Sequence, residues 1–457
     1  MSKNKNQNRN QSEYKAEVIQ TANPTHQNGQ FKNSLGFVLA CVGSAVGMGN
    51  IWLFPYRLGQ YGGAAFLIPY FIFIVLFGLV GLSAEFAVGR RAKTGTLGAY
   101  EYCWATRGKG KIGYLLGWIP LFGSLGIAIG YSVILGWVLR TFLAGLTGEL
   151  FAKDSGTFFS EIASSFSNIP CHVMIVVVAC VLLIFGATKG IERVNKVIMP
   201  VFFLLFLVLA VRVSFLEGSG EGYAFLFIPK WEYLLRVDTW IMAMGQAFFS
   251  LSLGMGTILT YASYMKKEEN LVSTGVYTVI FDLMFALIAG FAIMPAVFAA
   301  GIEPGAGPGL IFETLPYIFS TMGRDFPALS AGVAILFFTA VLFAALTSSV
   351  SMLEAGVAYF VDHKKMPRGN ATALVFGFCW IFGSLCCVST RLFDFCDRLT
   401  SDFLMTFGSL LYAVFVGWRL KKADVLQEIP RPIYFMVRWI IPLVIIAIFI
   451  SNLVMKG

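Results

Sequence analysis

The sequence predicts an all-α polytopic membrane protein. Only 13% of the 457 residues are charged and 57% are hydrophobic, whereas about 25% are charged in an average soluble protein. The apolar residues form long continuous runs, and about 20 of them let one helix cross the bilayer. The short alternating strands of a membrane β-barrel do not give such runs. The same composition argues against a soluble enzyme and a nucleic-acid-binding protein.

Eleven apolar runs are predicted to be membrane spans. Several are longer than 25 residues, which indicates tilted or interrupted helices. The predicted spans are 33–58, 64–89, 114–145, 170–188, 196–215, 239–264, 272–300, 329–361, 370–389, 399–418 and 433–455.

The basic residues predict the orientation of these spans. Residues 1–32 are polar and predict a disordered cytoplasmic tail without a cleavable signal. Lys and Arg are concentrated in alternate loops, for example at Arg90, Arg91 and Lys267, and such loops face the cytoplasm. We therefore expect a multi-pass protein of the bacterial inner membrane with a cytoplasmic N-terminus and an external C-terminus. Most of the net charge of +9 is then an orientation signal.

Two predicted spans are interrupted by the same glycine pattern. The first contains Gly-Ser-Ala-Val-Gly-Met-Gly-Asn at 43–50, and the sixth contains Ser-Leu-Ser-Leu-Gly-Met-Gly-Thr at 250–257. They lie five spans apart, so the chain crosses the membrane in opposite directions at the two sites, as in an inverted repeat. We expect the first repeat at 33–215, the second at 239–418 and an additional helix at 433–455. Close helix packing is the alternative role of these glycines.

Polar residues inside the spans indicate hard-cation chemistry. Sodium prefers oxygen ligands, and Thr347, Ser348 and Ser349 place three hydroxyl groups on one helical turn. Asp282 is an intramembrane carboxylate, which is costly and indicates function. Glu85 is a second such group, and we favour a structural role in which it bonds the unwound backbone of a neighbouring helix. The cysteines and histidines show no metal-ligand spacing.

The two glycine motifs, together with Asn-Ile-Trp-Leu-Phe-Pro-Tyr at 50–56 and Thr-Tyr-Ala-Ser-Tyr at 260–264, resemble the neurotransmitter:sodium symporter family and its bacterial amino-acid transporters. The resemblance covers nearly the whole chain from about Phe31. It implies the LeuT fold, with 11 transmembrane helices, a 5+5 inverted repeat and broken helices 1 and 6.

The resemblance implies two sodium sites. The first would use the Ala45 carbonyl with the side chains of Asn50, Ser250 and Asp282. The second would use main-chain and hydroxyl oxygens of Gly43, Val46, Ala344, Thr347 and Ser348. Chloride-dependent relatives bind an anion at positions that match Tyr70, Gln246 and Ser250. Asp282 can supply the negative charge instead, so we expect no chloride requirement.

The resemblance also implies an α-amino acid as substrate. Monoamine-carrying relatives have an Asp at the position of Gly47, so here the substrate must bring its own carboxylate. The backbone N–H groups of the first break can bind that carboxylate, near Tyr131. The substrate pocket would be lined by Ser44, Ala45, Gly47, Gly49, Ile127, Phe249, Ser252, Met255, Ser348 and Met352. This mostly apolar set favours a hydrophobic, bulky or aromatic amino acid.

The gates are where the sequence departs from the family pattern. The arginine usual at the outer gate is replaced by Leu53, and Arg57 is the candidate that restores a pair with Asp397. At the inner gate Tyr264 and Asp362 match, but the usual tail arginine falls near Asn28, where Lys32 is the candidate substitute.

These observations predict a sodium-coupled symporter that works by alternating access. A non-transporting amino-acid sensor with the same fold is the alternative, and the two would look identical in sequence. The expected partners are an amino acid, sodium ions and the lipid bilayer, with no nucleic acid. The preferred amino acid, the sodium stoichiometry, proton antiport and the oligomeric state are not predicted.

Overall fold

The computed structural model describes residues 31, 34–163, 166–186, 192–304, 310–322 and 327–456, and every element in these ranges is helical. We number the fourteen main helices in chain order. They are α1 (Ser34–Ala45), α2 (Gly49–Gln60), α3 (Ala64–Ala92), α4 (Thr96–Ala105), α5 (Gly110–Thr147), α6 (Phe166–Ile184), α7 (Glu192–Ser214), α8 (Val237–Ser250), α9 (Thr257–Ser263), α10 (Leu271–Ala299), α11 (Pro327–Ala358), α12 (Arg368–Val388), α13 (Thr390–Arg419) and α14 (Ile441–Lys456). Shorter helices connect them at Glu149–Ala152, Ser155–Ala163, Ser219–Phe227, Trp231–Leu234, Leu310–Thr314, Leu315–Met322, Tyr359–His363, Lys422–Val425, Arg431–Phe435 and Met436–Ile440.

The helices agree with the predicted spans once the interrupted ones are counted. In the described part of the chain, nine helices are long and apolar enough to cross a membrane, and α1 with α2 forms a tenth span bent by 52°. The remaining predicted span, 239–264, is divided between α8 and α9, which are separated by residues 251–256. Each of these two helices is too short to cross alone. The predicted tail at 1–32 lies outside the described residues, apart from Phe31.

The helices differ in how much of their surface they bury. In the apolar window of α5, 78% of the residues are buried inside the protein, against 28% in the window within Asn195–Ser214. Helix α5 packs on α4, α6 and α11, and α3 packs on α8 and α9. The broken helices therefore lie inside a helical bundle, while helices such as α7 present an apolar face to the surroundings.

Positive φ angles define the second break. Gly254 and Gly256 have φ angles of +80° and +73°, and Ser252 has a φ of +53°. A side chain on Gly254 would meet the Ser409 hydroxyl at 2.1 Å, so only glycine fits this backbone and this space. The Glu85 carboxylate accepts a hydrogen bond of 2.8 Å from the Gly254 N–H. This confirms the structural role expected for Glu85.

One end of the bundle carries the basic loop residues and is called here the basic end, defined by Arg90, Arg91, Lys266 and Lys267. Arg90 forms an ion pair with Glu428 and donates to the carbonyls of neighbouring loop residues. These contacts join the end of α3 to two other loops. Arg57 and Asp397 lie at the opposite end of the bundle.

Phe31 closes part of the basic end. It is 2% exposed, its N–H donates to the Tyr264 carbonyl at 3.4 Å, and its ring lies 5.3 Å from the Phe37 ring and 6.3 Å from the Tyr261 ring. The start of the described chain is therefore packed against α1 and α9.

Substitution of Gly408 by Ala tests the packing of the second break. The new Cβ would lie 1.9 Å from the Gly254 carbonyl oxygen, so α13 and the break must move apart. We expect a loss of about 1–3 kcal/mol of stability, measured as a lower melting temperature in detergent. Gly377→Ala is the control, because nothing lies within 4 Å of its Cβ. Equal stability of the two variants would contradict the close approach.

Candidate functional site

A cavity of about 410 Å³ opens between α2, α5, α8 and α13. Its inner part is lined by Met48, Ile127, Tyr131 and Phe249, and its outer part by residues that include Arg57 and Asp397. The cavity therefore joins part of the predicted substrate pocket to both predicted members of the outer gate.

The first helix break lies at the base of this cavity. The Met48 N–H donates to the Tyr131 hydroxyl at 2.9 Å, and the Gly49 carbonyl accepts from the Gln246 side chain at 2.9 Å. A Cβ on Gly47 would lie 2.4 Å from both the Tyr131 and the Ser348 hydroxyl oxygens. The break is therefore held by side chains of α5 and α8, and its backbone can be approached only because Gly47 has no side chain.

Asp282 of α10 lies at the centre of a first polar cluster. Its carboxylate accepts hydrogen bonds of 2.8 Å from the Asn50 amide and from the Ser250 hydroxyl. The side-chain amide oxygen of Asn50, Oδ1, in turn accepts from the Gly47 N–H at 3.4 Å. Three of the four residues predicted for the first sodium site are thus in contact, and the fourth, Ala45, ends α1 next to the break.

Ser348 of α11 lies at the centre of a second cluster. Its hydroxyl lies 3.2 Å from the carbonyl oxygens of both Gly43 and Val46. It also lies 3.5 Å from the Ala344 carbonyl, which accepts a bond of 2.7 Å from Thr347. All five residues predicted for the second sodium site therefore meet across α1 and α11. Three carbonyls and two hydroxyls suit a hard monovalent cation.

Both clusters consist mainly of neutral oxygen ligands, with Asp282 as their one carboxylate. Among the described residues there is no group of three His, Cys, Asp or Glu side chains that could hold a metal ion. Tyr70, one of the positions that the resemblance relates to a chloride site, is buried beside Ser250 and Asp282. A buried carboxylate therefore lies next to this position.

Four of the other predicted pocket residues are buried outside the cavity. Ser44, Ser252, Met255 and Met352 are at most 3% exposed and are not among the residues that line it. The Ser252 hydroxyl donates to the Ser44 carbonyl at 3.1 Å. The two helix breaks therefore touch each other directly. A Cβ on Gly49 would lie 3.0 Å from the Phe249 ring, so the start of α2 also packs closely against the end of α8.

At the outer gate, Arg57 has partners that the sequence did not predict. Its guanidinium donates to the Gln246 side chain at 3.2 Å and to the Met242 carbonyl at 3.4 Å. Asp397 accepts from the Ser401 hydroxyl at 3.1 Å. Arg57 is thus connected through Gln246 to the Gly49 carbonyl at the first break.

The two residues predicted for the inner gate have separate hydrogen-bond partners. The Tyr264 hydroxyl donates to Glu354 at 2.8 Å, and Asp362 instead accepts from the Gly95 N–H at 2.8 Å. Glu354 forms a two-point ion pair with Arg368, at 3.2 and 2.5 Å. Asn28 and Lys32, the other members of the predicted gate, lie outside the described residues.

Glu354 and Arg368 are the residues that the sequence interpretation missed. Glu354 is fully buried within the apolar run of α11, which is the signal that could have identified it. Arg368 was indistinguishable from the loop arginines, because only the folded structure brings the start of α12 beside α11.

Comparison with known proteins now assigns the family. The model of the sodium:neurotransmitter symporter family matches residues 28–165 and 164–456. The chain belongs to this family. It is therefore a sodium-dependent symporter of the membrane and not an enzyme.

The relatives cover the chain almost end to end. An uncharacterized sodium-dependent transporter of Bacillus subtilis, YhdH, is 34% identical, with 92% of this chain and 97% of that protein aligned. A similar transporter of Haemophilus influenzae is 32% identical over 93% and 98% of the two chains. The crystal structure of MhsT in complex with L-phenylalanine matches with a TM-score of 0.84 and 36% identity, covering 93% of this chain and 99% of MhsT. These matches confirm the LeuT fold.

The Glu354–Arg368 pair makes a prediction about stability. Glu354→Gln would leave the buried Arg368 charge without its partner, which costs about 3–5 kcal/mol, and we expect a clear fall in melting temperature. Glu149→Gln is the control, because the Glu149–Arg140 pair is about one-third exposed and such pairs contribute little. If the two variants had the same melting temperature, Glu354 would not stabilise the basic end.

Proposed function

We propose that this symporter imports a hydrophobic α-amino acid, with a bulky or aromatic side chain, together with sodium and without chloride. The observation that carries the proposal is the close approach of the Tyr131 and Ser348 hydroxyls to Gly47, because a Cβ at this position would lie 2.4 Å from both oxygens. An aspartate does not fit there, so the substrate would supply the carboxylate, which can use the backbone N–H groups of the break. Among the eleven predicted pocket residues, Tyr131 is the one with an ionisable side chain, and MhsT was crystallised with L-phenylalanine.

The two polar clusters are the proposed sodium sites. In the first, Asn50, Ser250, Asp282 and the Ala45 carbonyl would bind an ion close to the substrate carboxylate. In the second, the hydroxyl of Ser348 already lies at the Gly43 and Val46 carbonyls, and an ion would join these oxygens. Each site links the first break to a continuous helix, so sodium binding favours one arrangement of α1 relative to α10 and α11.

Alternating access would follow from the two broken helices. We infer that 33–215 and 239–418 form the two inverted repeats and that helix 433–455 lies outside them. The basic end would face the cytoplasm of a bacterial cell, and the cavity between Arg57 and Asp397 would face the outside. Arg57, Asp397, Tyr264 and Asp362 are the proposed gate residues.

Competition binding tests the substrate and the site together. We expect sodium-dependent binding of radiolabelled L-phenylalanine that other bulky hydrophobic amino acids compete for and charged ones do not. Gly47→Ala should abolish this binding, whereas Gly245→Ala should retain it, because the nearest atom to its Cβ is Arg57 Nη1 at 3.7 Å. Binding without counterflow in proteoliposomes would favour the sensor. Preference for a charged or small amino acid would contradict the pocket assignment.

Replacement of chloride tests the role of Asp282. Because its carboxylate supplies a fixed negative charge between Asn50 and Ser250, uptake should be unchanged when gluconate replaces chloride at constant sodium. Asp282→Asn should weaken sodium-dependent uptake, and added chloride should restore part of it. Uptake by the unmodified protein that collapses in gluconate would overturn the chloride-independent assignment.

A further inference from the structure

Asn195 is a buried polar residue that the proposed function does not use. It lies in the first turn of α7, at the basic end, and is 1% exposed. Neither its amide nitrogen nor its amide oxygen has a hydrogen-bond partner among the described residues. A buried amide without partners is destabilising, so this side chain is suited to a ligand that binds transiently.

The Asn195 amide lies against Gly43, which belongs to the second cation cluster. A Cβ on Gly43 would lie 2.5 Å from the amide nitrogen and 2.6 Å from the amide oxygen, so the amide lies directly against Gly43. The Gly43 carbonyl is one of the two that Ser348 contacts at 3.2 Å. Asn195 is therefore a buried polar group beside a residue of this cluster, and only about one helical turn separates it from the start of α7 at the basic end.

The chemistry of the surroundings selects a cation over an anion. The cluster presents the carbonyl oxygens of Gly43, Val46 and Ala344, and these repel an anion. An amide oxygen is a hard neutral ligand of the kind that sodium accepts. The amide N–H groups add a second function, because they can donate to a carbonyl that an ion has left. A carboxylate at this position would hold the ion, whereas a neutral amide can release it.

We propose that Asn195 is a sodium ligand on the exit route from the second sodium site, which it joins to the basic end. Its Oδ1 receives the ion from the Gly43 and Val46 carbonyls, and its amide group then replaces the ion at the Gly43 carbonyl. The same contacts bind sodium that enters from the basic end. This inference rests on the proposed second sodium site.

Internal sodium is the sharpest probe of this step. The assay measures amino-acid uptake into proteoliposomes at increasing sodium concentrations on the side of the basic end. The substrate is L-phenylalanine, or an amino acid that binds more tightly in the competition assay. Asn195→Ala should raise the sodium concentration that half-inhibits uptake by about threefold to tenfold, the effect of losing one neutral polar contact. Asn195→Ser keeps an oxygen and should raise the half-inhibiting sodium concentration less. Asn195→Asp should lower that concentration.

Two further variants separate the possible failures. Asn168→Ala removes another fully buried amide, which donates to the Val133 carbonyl away from the cluster, and should leave internal inhibition unchanged. Thr347→Ala should raise the external sodium concentration needed for amino-acid binding. If Thr347→Ala shifts sodium dependence and the Ala and Ser variants of Asn195 behave like the unmodified protein, the exit role of Asn195 is wrong. If Thr347→Ala also has no effect, the second sodium site itself is wrong.

Discussion

The architecture depends on keeping backbone polar groups satisfied where two helices break inside an apolar bundle. Hydrocarbon offers no hydrogen-bond partners, so each break must find them within the protein. Tyr131 accepts from the Met48 N–H, Gln246 donates to the Gly49 carbonyl, and Glu85 accepts from the Gly254 N–H. These side chains come from α5, α8 and α3, which therefore have to surround the breaks. The polar site in the middle of the protein follows from this requirement.

The same requirement explains how much of the fold could be predicted from the sequence. Apolar runs and the two Gly-Met-Gly motifs indicate both the spans and the positions where the spans are interrupted, because helix length and glycine conformation are local properties. Residues 251–256 show the limit of this reasoning. The sequence predicted a span at 239–264 that is interrupted at its Gly-Met-Gly motif, and the structure ends α8 at Ser250 and begins α9 at Thr257, but the bounds of the break were not predicted. The positive φ of Ser252, a residue without glycine's freedom, depends on the fold and is not visible in the sequence.

In the candidate site, too, some features could be predicted from the sequence and others could not. Asp282 and the hydroxyl cluster at 347–349 could be selected from sequence because polar groups in apolar runs are expensive. Their partners could not be selected, because Ser348 meets Gly43 across 305 positions of the chain. Tyr264 could be assigned to the inner gate from the sequence, but its bond to Glu354 could not be predicted. The type of residue was recognisable, whereas the pairing depended on which helices pack together.

Coupling between ion and substrate is built into shared atoms. The Ser348 hydroxyl contacts the Gly43 and Val46 carbonyls and also limits the space at Gly47. The Gly47 N–H is bonded to Asn50, which is bonded to Asp282. An ion in either proposed cluster would therefore fix the break at 46–48, which is the backbone that would receive a carboxylate. Because linkage is reciprocal, a carboxylate bound there would strengthen sodium binding by the same factor. The proposed sites would thus be coupled without any long-range relay, since both ligands would act on this one short segment between α1 and α2.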